Sequence, residues 1–181
     1  MPHHPRRYRR SSLRLRGYDY SSQGAYFVTI CTYQRTCLFG KIVNGKTQLS
    51  PFGQIADDYW QQIPTHFPNV DLDEYIIMPN HVHGIIFTKY SVIKKQSGTT
   101  ERFGNMMKPG ALSTIVRSFK SATTRQINIL RAAPGSPVWQ RNYYDHIIRN
   151  AMSYGQIKQY IRHNPLLWQT DQLHPNNPSK W

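Results

Sequence analysis

Two histidines separated by one valine, His81-Val82-His83, open the apolar run HVHGIIFTK at residues 81–89. The run is β-branched and aliphatic, which predicts a strand. Residues two apart on a strand share a face. Both imidazoles therefore project together, while Val82 points the other way, into a core. Two imidazoles on one face can hold a single divalent cation. Gly84 follows, and lacking a side chain it would let a substrate backbone approach. Further along, SYGQIKQYIRHNP predicts a helix on which Tyr160 and Asn164, four residues apart, share a face. Tyr154, Ile157 and Ile161 form a separate apolar stripe that would pack on a sheet, with Tyr160 at its border. A tyrosine hydroxyl beside a cation is a suitable phosphoryl-transfer nucleophile. Its ordinary pKa of about 10 leaves roughly one molecule in a thousand ionised at neutral pH, so a cation and a base must assist. Taken alone, His-x-His also describes two unrelated surface histidines, and the helix by itself favours Tyr160 as a half-buried core edge.

The surrounding pattern supplies elements to hold these residues. AYFVTICTYQ (25–34) is strand-like, and LFGKIVNGKTQL carries Asn44-Gly45, a type I′ hairpin signal. Ser50-Pro51 read as an N-cap and first helical residue. Phe52, Ile55, Ala56, Tyr59, Trp60 and Ile63 follow at helical spacing, closed by Pro64 and Pro68. EYIIMP (74–79) predicts a strand separated from the histidine strand only by Asn80. Residues 91–110 are polar and glycine-containing, a long loop that includes Met106 and Met107. Leu112, Ile115, Val116, Phe119 and Ala122 mark a second helix, and VWQRNYYDHIIR (138–149) a fourth strand. The last helix spans about 151–163 and stops at Pro165. Setting the hairpin aside, the order β, α, β, β, α, β, α predicts an α+β, ferredoxin-like (RRM-like) four-stranded antiparallel sheet. Two helices would cover one face, with the tyrosine helix near the other. A division follows: a basic N-terminal arm at 1–20, a catalytic domain at 21–165, and an irregular tail at 166–181.

The 181 residues carry 23 Lys+Arg against 9 Asp+Glu, a net charge of +14 that favours a polyanionic partner, nucleic acid first. Arg6, Arg7, Arg9, Arg10, Arg14 and Arg16 crowd the arm, and arginine forks pair with phosphates and guanine edges. The arm has no apolar h-region, no run is long and apolar enough for a membrane span, and two cysteines give no disulfide framework. A cytoplasmic protein without a membrane partner is expected.

PNHVHGIIF, followed by WQRNYYDHIIRN and then YIRHNPLLW, resembles the REP-associated tyrosine transposases, single-tyrosine members of the HUH endonucleases. The resemblance runs from about residue 15 to 175, with three separated blocks in order. It implies His81 and His83 as ligands of Mg²⁺ or Mn²⁺, Tyr160 as nucleophile, and Asn164 as a third ligand. It also implies cleavage of single-stranded DNA beside a palindromic hairpin through a 5′-phosphotyrosine, by a monomer or homodimer. Lys120 has a counterpart in the family and would contact phosphate, as would Arg141. Asp145 and His146, in the strand before the tyrosine helix, are candidates for partners of the ligands or a proton shuttle. Tyr143 and Tyr144 are rival nucleophiles, and Trp168 and Trp181 can stack on bases or pack on the tail. Two other readings compete. One is a non-catalytic RRM-like nucleic-acid binder, although the usual aromatic strand block of those modules is missing. The other is a metal-dependent hydrolase using water, although the acidic ligand set of a two-metal site is missing.

Overall fold

The computed structural model describes residues 22–89 and 111–177. The arm arginines Arg7, Arg9, Arg10, Arg14 and Arg16, the loop 91–110 and Trp181 lie outside the described residues. Among the described residues six strands and four α-helices follow one another: β1 (Gly24–Cys31), β2 (Gly40–Val43), β3 (Lys46–Leu49), α1 (Pro51–Gln61), α2 (Ile63–His66), β4 (Val70–Met78), β5 (His81–Thr88), α3 (Leu112–Leu130), β6 (Tyr144–Ile148) and α4 (Ala151–His163). The main sheet is antiparallel throughout in the order β4-β5-β1-β6, the ferredoxin-like arrangement. β2 and β3 form a separate hairpin. Its turn residues Asn44 and Gly45 both take positive φ, as a type I′ turn demands.

Local chemistry sets the element ends. The Ser50 hydroxyl accepts the Gly53 N–H at 3.1 Å with Pro51 in the first turn, a capped start for α1. Pro64 does not end that helix; it stands in the first turn of α2, where its missing N–H costs nothing. The fourth strand is shorter than 138–149. Lys120 on α3 donates to the carbonyls of Gln140, Arg141 and Asn142, which withdraws those acceptors from a ladder, and Trp139 is left as an isolated bridge to Thr32. β4 begins earlier than residue 74 because an irregularity between Leu72 and Tyr75 absorbs Asp73 and Glu74 and restores pairing from Val70.

The core lies between the sheet and the pair α1 and α3. Tyr26, Val28, Ile30, Val82 and Ile86 face Trp60, Ile115 and Phe119 across it. Val82 thus anchors the histidine strand as alternation predicts. Gly84 corrects the expectation of a substrate approach. It lies on the Val82 side, and a Cβ there would run into the Trp60 indole. The close approach it permits is that of the α1 tryptophan. Gly84→Ala is expected to lose about 1–3 kcal/mol from overpacking, read as a lower midpoint in urea unfolding with an unchanged slope.

Candidate metal centre and nucleophile

The opposite face of the sheet carries the polar cluster. His81 and His83 are buried there, opposite Cys31 and Thr29 of β1. Their rings are 4.4 Å apart between centroids. The Asn80 amide fixes the tautomer of His81. Its Nδ2 donates to the carbonyls of Leu173 at 2.7 Å and Arg35 at 3.0 Å, so its Oδ1 must accept. His81 Nδ1, 2.8 Å from that oxygen, therefore carries the proton, and Nε2 presents a lone pair. His83 is held alike. Its Nδ1 lies 2.8 Å from Thr29 Oγ1, and its Nε2 faces the Tyr160 hydroxyl at 3.2 Å. Burial lowers the His81 pKa to about 4 against the opposing pull of Asp171 and Asn164. Burial and then the neighbouring His81 push His83 well below its usual value. Both rings are thus neutral at pH 7, the form that ligates.

Tyr160 reaches His83 because α4 lies on this face. Asn150 caps α4 by accepting the Ser153 N–H at 2.8 Å. Ile161, Ile157 and Tyr154 form the expected stripe, packed with Phe27 and Ile85 of the sheet. The outer side of α4 is tied to the irregular stretch of β4. Tyr154 and Lys158 both bond Asp73, the latter at 3.0 Å, and Arg162 pairs with Glu74 at 2.6 Å. Tyr160 borders the stripe with 39% of its surface exposed, its ring edge-on to Phe27 at 6.0 Å. Burial and then the charge of Asp171 push its phenol up to about 12.

Asn164 and Asp171 complete the cluster. Asn164 stays helical at φ −54°, ψ −41° although Pro165 follows, and it is buried. Its Nδ2 donates to Asp171 Oδ2 at 2.9 Å, and Asp171 Oδ1 accepts the Leu173 N–H at 2.6 Å. Potential ligand atoms of His81, His83 and Asp171 all lie within 4.8 Å of one another. His81 Nε2 and Asn164 Oδ1 are buried without a hydrogen-bond partner. A buried lone pair left unmatched costs on the order of 1–3 kcal/mol. Two such atoms beside a carboxylate fit a divalent cation, because imidazole nitrogen, amide oxygen and carboxylate are its accepted donors.

The sequence pattern gives neither Asp171 nor Asn80 a role at the site, and the structure gives both one. The tail is irregular in the described part, turns around a short 3₁₀ segment at Trp168–Thr170, yet it is packed. Trp168, Asp171 and Leu173 are buried, and the Trp168 ring lies 6.1 Å from that of His81. The packed unit therefore extends past residue 165. Placement of the remaining candidates varies. Lys120 holds the three carbonyls before β6, and burial lowers its pKa to about 8. Arg141 is exposed beside it. Asp145 is opposite Val28 and so lies on the helix-packed side, away from the histidines. His146, opposite Phe27, shares the histidine face but is exposed and away from the ligand cluster. Alternation also puts Tyr144 on the site face and Tyr143 on the core side.

No protein-family model matches the chain. An uncharacterized protein of Haemophilus influenzae is 42% identical over 178 residues, spanning 91% of this chain and 93% of that one. The chain belongs to that protein's family. Among solved structures, a REP-associated tyrosine transposase bound to a REP hairpin superposes with a TM-score of 0.56 at 19% identity. The match covers 84% of this chain and 72% of that chain, so the two share a fold. No helix among the described residues is long and apolar enough to cross a membrane.

Proposed function

We propose that this protein is a REP-associated tyrosine transposase: a metal-dependent single-stranded DNA endonuclease and strand transferase acting beside palindromic hairpins in the cytoplasm. The observation that carries the reading is the Tyr160 hydroxyl at 3.2 Å from His83 Nε2, next to the unpartnered His81 Nε2 and Asn164 Oδ1. Support also comes from the shared fold with a transposase bound to a REP hairpin and from the +14 charge.

His81, His83, Asn164 and Asp171 would hold Mg²⁺ or Mn²⁺. When bound, the ion supplies Lewis-acid polarisation of the phosphate and lowers the cost of ionising a nearby phenol. Asn80 and Thr29 keep the imidazole lone pairs turned inward. His83 Nε2 has one lone pair, which now faces the Tyr160 hydroxyl and would instead be taken up by a cation held there. The freed hydroxyl can then face the phosphate. The Tyr160 proton passes to solvent, its oxygen bonds to phosphorus, and the P–O3′ bond breaks as the departing 3′ oxygen takes up a proton from solvent. The products are a 5′-phosphotyrosine and a 3′-hydroxyl. Attack by a second 3′-hydroxyl reverses the step and joins strands without an external energy source. The ties from α4 to Asp73 and Glu74 hold the nucleophile over the histidines.

Incubating the protein with hairpin DNA bearing single-stranded flanks and Mn²⁺ tests this. With label placed 3′ of the cut, denaturing gels should show a DNA-linked protein band that EDTA prevents. Cleavage that leaves labelled DNA free of protein would favour a water-using hydrolase. Binding without cleavage would favour the RRM-like binder.

A further inference from the structure

α4 packs on the sheet face toward β4, while the opposite edge is formed by β6. On this face one row across the sheet reads Tyr144, Thr29, His83, and the next reads His146, Phe27, Ile85. Phe27 links them. Its ring is stacked on His83 at 5.3 Å, edge-on to Tyr160 at 6.0 Å and edge-on to Tyr144 at 6.3 Å. A row of rings thus runs from the nucleophile through buried Phe27 to half-buried Tyr144 at the sheet edge, where the imidazole of His146, opposite Phe27, is exposed. Two strand spacings, about 10 Å, separate β6 from the histidine strand. Exposed Arg141 and Arg149 flank the two ends of β6. A ring exposed at the sheet edge, backed by a half-buried tyrosine and with arginines at both ends of the strand, matches the chemistry of unpaired bases and their phosphates. A paired duplex hides its base faces and could not use such rings.

We propose that the outer face of β6, through His146 supported by Tyr144, stacks an unpaired base of the strand that Tyr160 cuts, beside the scissile phosphate. This deepens the strand-cutting reading and rests on it. A base seated there would fix which phosphate lies before Tyr160, a task separate from hairpin recognition.

The test is a cycle between protein and DNA. The full chain carrying Tyr160→Phe binds, without cutting, a fluorescein-labelled hairpin with single-stranded flanks. Abasic positions are stepped outward from the hairpin foot, and affinity is read by anisotropy at fixed salt. With His146 present, one or two adjacent abasic positions should weaken binding roughly 5- to 100-fold, the range of single-base stacking. His146→Ala should shrink that penalty to near unity. His146→Trp should restore it, which a merely electrostatic or structural histidine would not allow. An abasic profile that is the same with and without the imidazole overturns the proposal while leaving the covalent adduct intact. Failure to bind any single-stranded flank, together with failure to form the adduct, overturns both.

Discussion

Tyr160→Phe is expected to erase the protein–DNA adduct, a loss on the order of 10⁴-fold or more, because the covalent bond to phosphorus forms on the oxygen that the change removes. Folding should hardly change. The variant gives up one hydrogen bond to a neutral imidazole, worth about 1 kcal/mol net, and keeps the ring that meets Phe27 edge-on. Mn²⁺ affinity should hold or rise slightly, since the phenol no longer competes for His83 Nε2. Titration of Mn²⁺ by isothermal calorimetry checks that half, and the adduct gel checks the other. Each outcome has a distinct reading. An adduct that survives would move the nucleophile to Tyr144, the rival tyrosine on the histidine face. Loss of both adduct and Mn²⁺ binding would make Tyr160 a structural prop. The wild-type rate should also climb with pH through the neutral range. A phenol held up at about 12 is almost wholly protonated at pH 7, so every gain in phenolate counts.

Strand alternation made half of this site readable from the sequence. A period of two decides that His81 and His83 share a face whatever the rest of the chain does. It equally places Gly84 with Val82, so its missing side chain makes room for the Trp60 indole and not for a substrate. A period of 3.6 separates Tyr160 from the stripe Tyr154, Ile157 and Ile161 in the same manner. The β, α, β, β, α, β, α order was readable because each apolar segment is long and regular. Two kinds of feature were not. The boundaries of β4 and β6 depend on distant partners: Lys120 reaching across from α3, and the irregular stretch at Asp73 and Glu74 meeting α4. Asp171 and Asn80 depend on where an aperiodic tail is laid down. Nothing in HPNNP or in QTDQL marks its neighbours. The tail is brought to the histidines by distant partners: the Asn80 amide gripping the Leu173 carbonyl, Arg35 donating to the Gln172 and His174 carbonyls, and Asn164 donating to Asp171. A ligand contributed by irregular backbone has no period to betray it.

Asp171→Asn puts that tail residue to the most demanding test. The change keeps size and shape, so Trp168 and Leu173 should remain packed. One oxygen of the new amide can still accept the Leu173 N–H. Its nitrogen then faces Asn164 Nδ2, which now donates to Asp171 Oδ2 at 2.9 Å. Two donors cannot share that position, so the Asn164 amide must turn over to offer its oxygen. That rotation takes Oδ1 away from the cation side and replaces it with an N–H, which cannot ligate. One substitution thereby removes a carboxylate and an amide oxygen from the cluster, leaving the two imidazoles. Mn²⁺ affinity should fall at least about 10- to 100-fold, the range seen when groups that orient metal ligands are lost. The phenol responds in the opposite sense. The Asp171 charge helps to push Tyr160 up, so neutralising it lowers the Tyr160 pKa. Cleavage at limiting Mn²⁺ should therefore collapse, and at saturating Mn²⁺ it should recover with its pH profile moved to lower pH. A variant with unchanged Mn²⁺ affinity would remove Asp171 from the metal centre. A variant that no amount of Mn²⁺ rescues would assign the carboxylate to holding the tail in place.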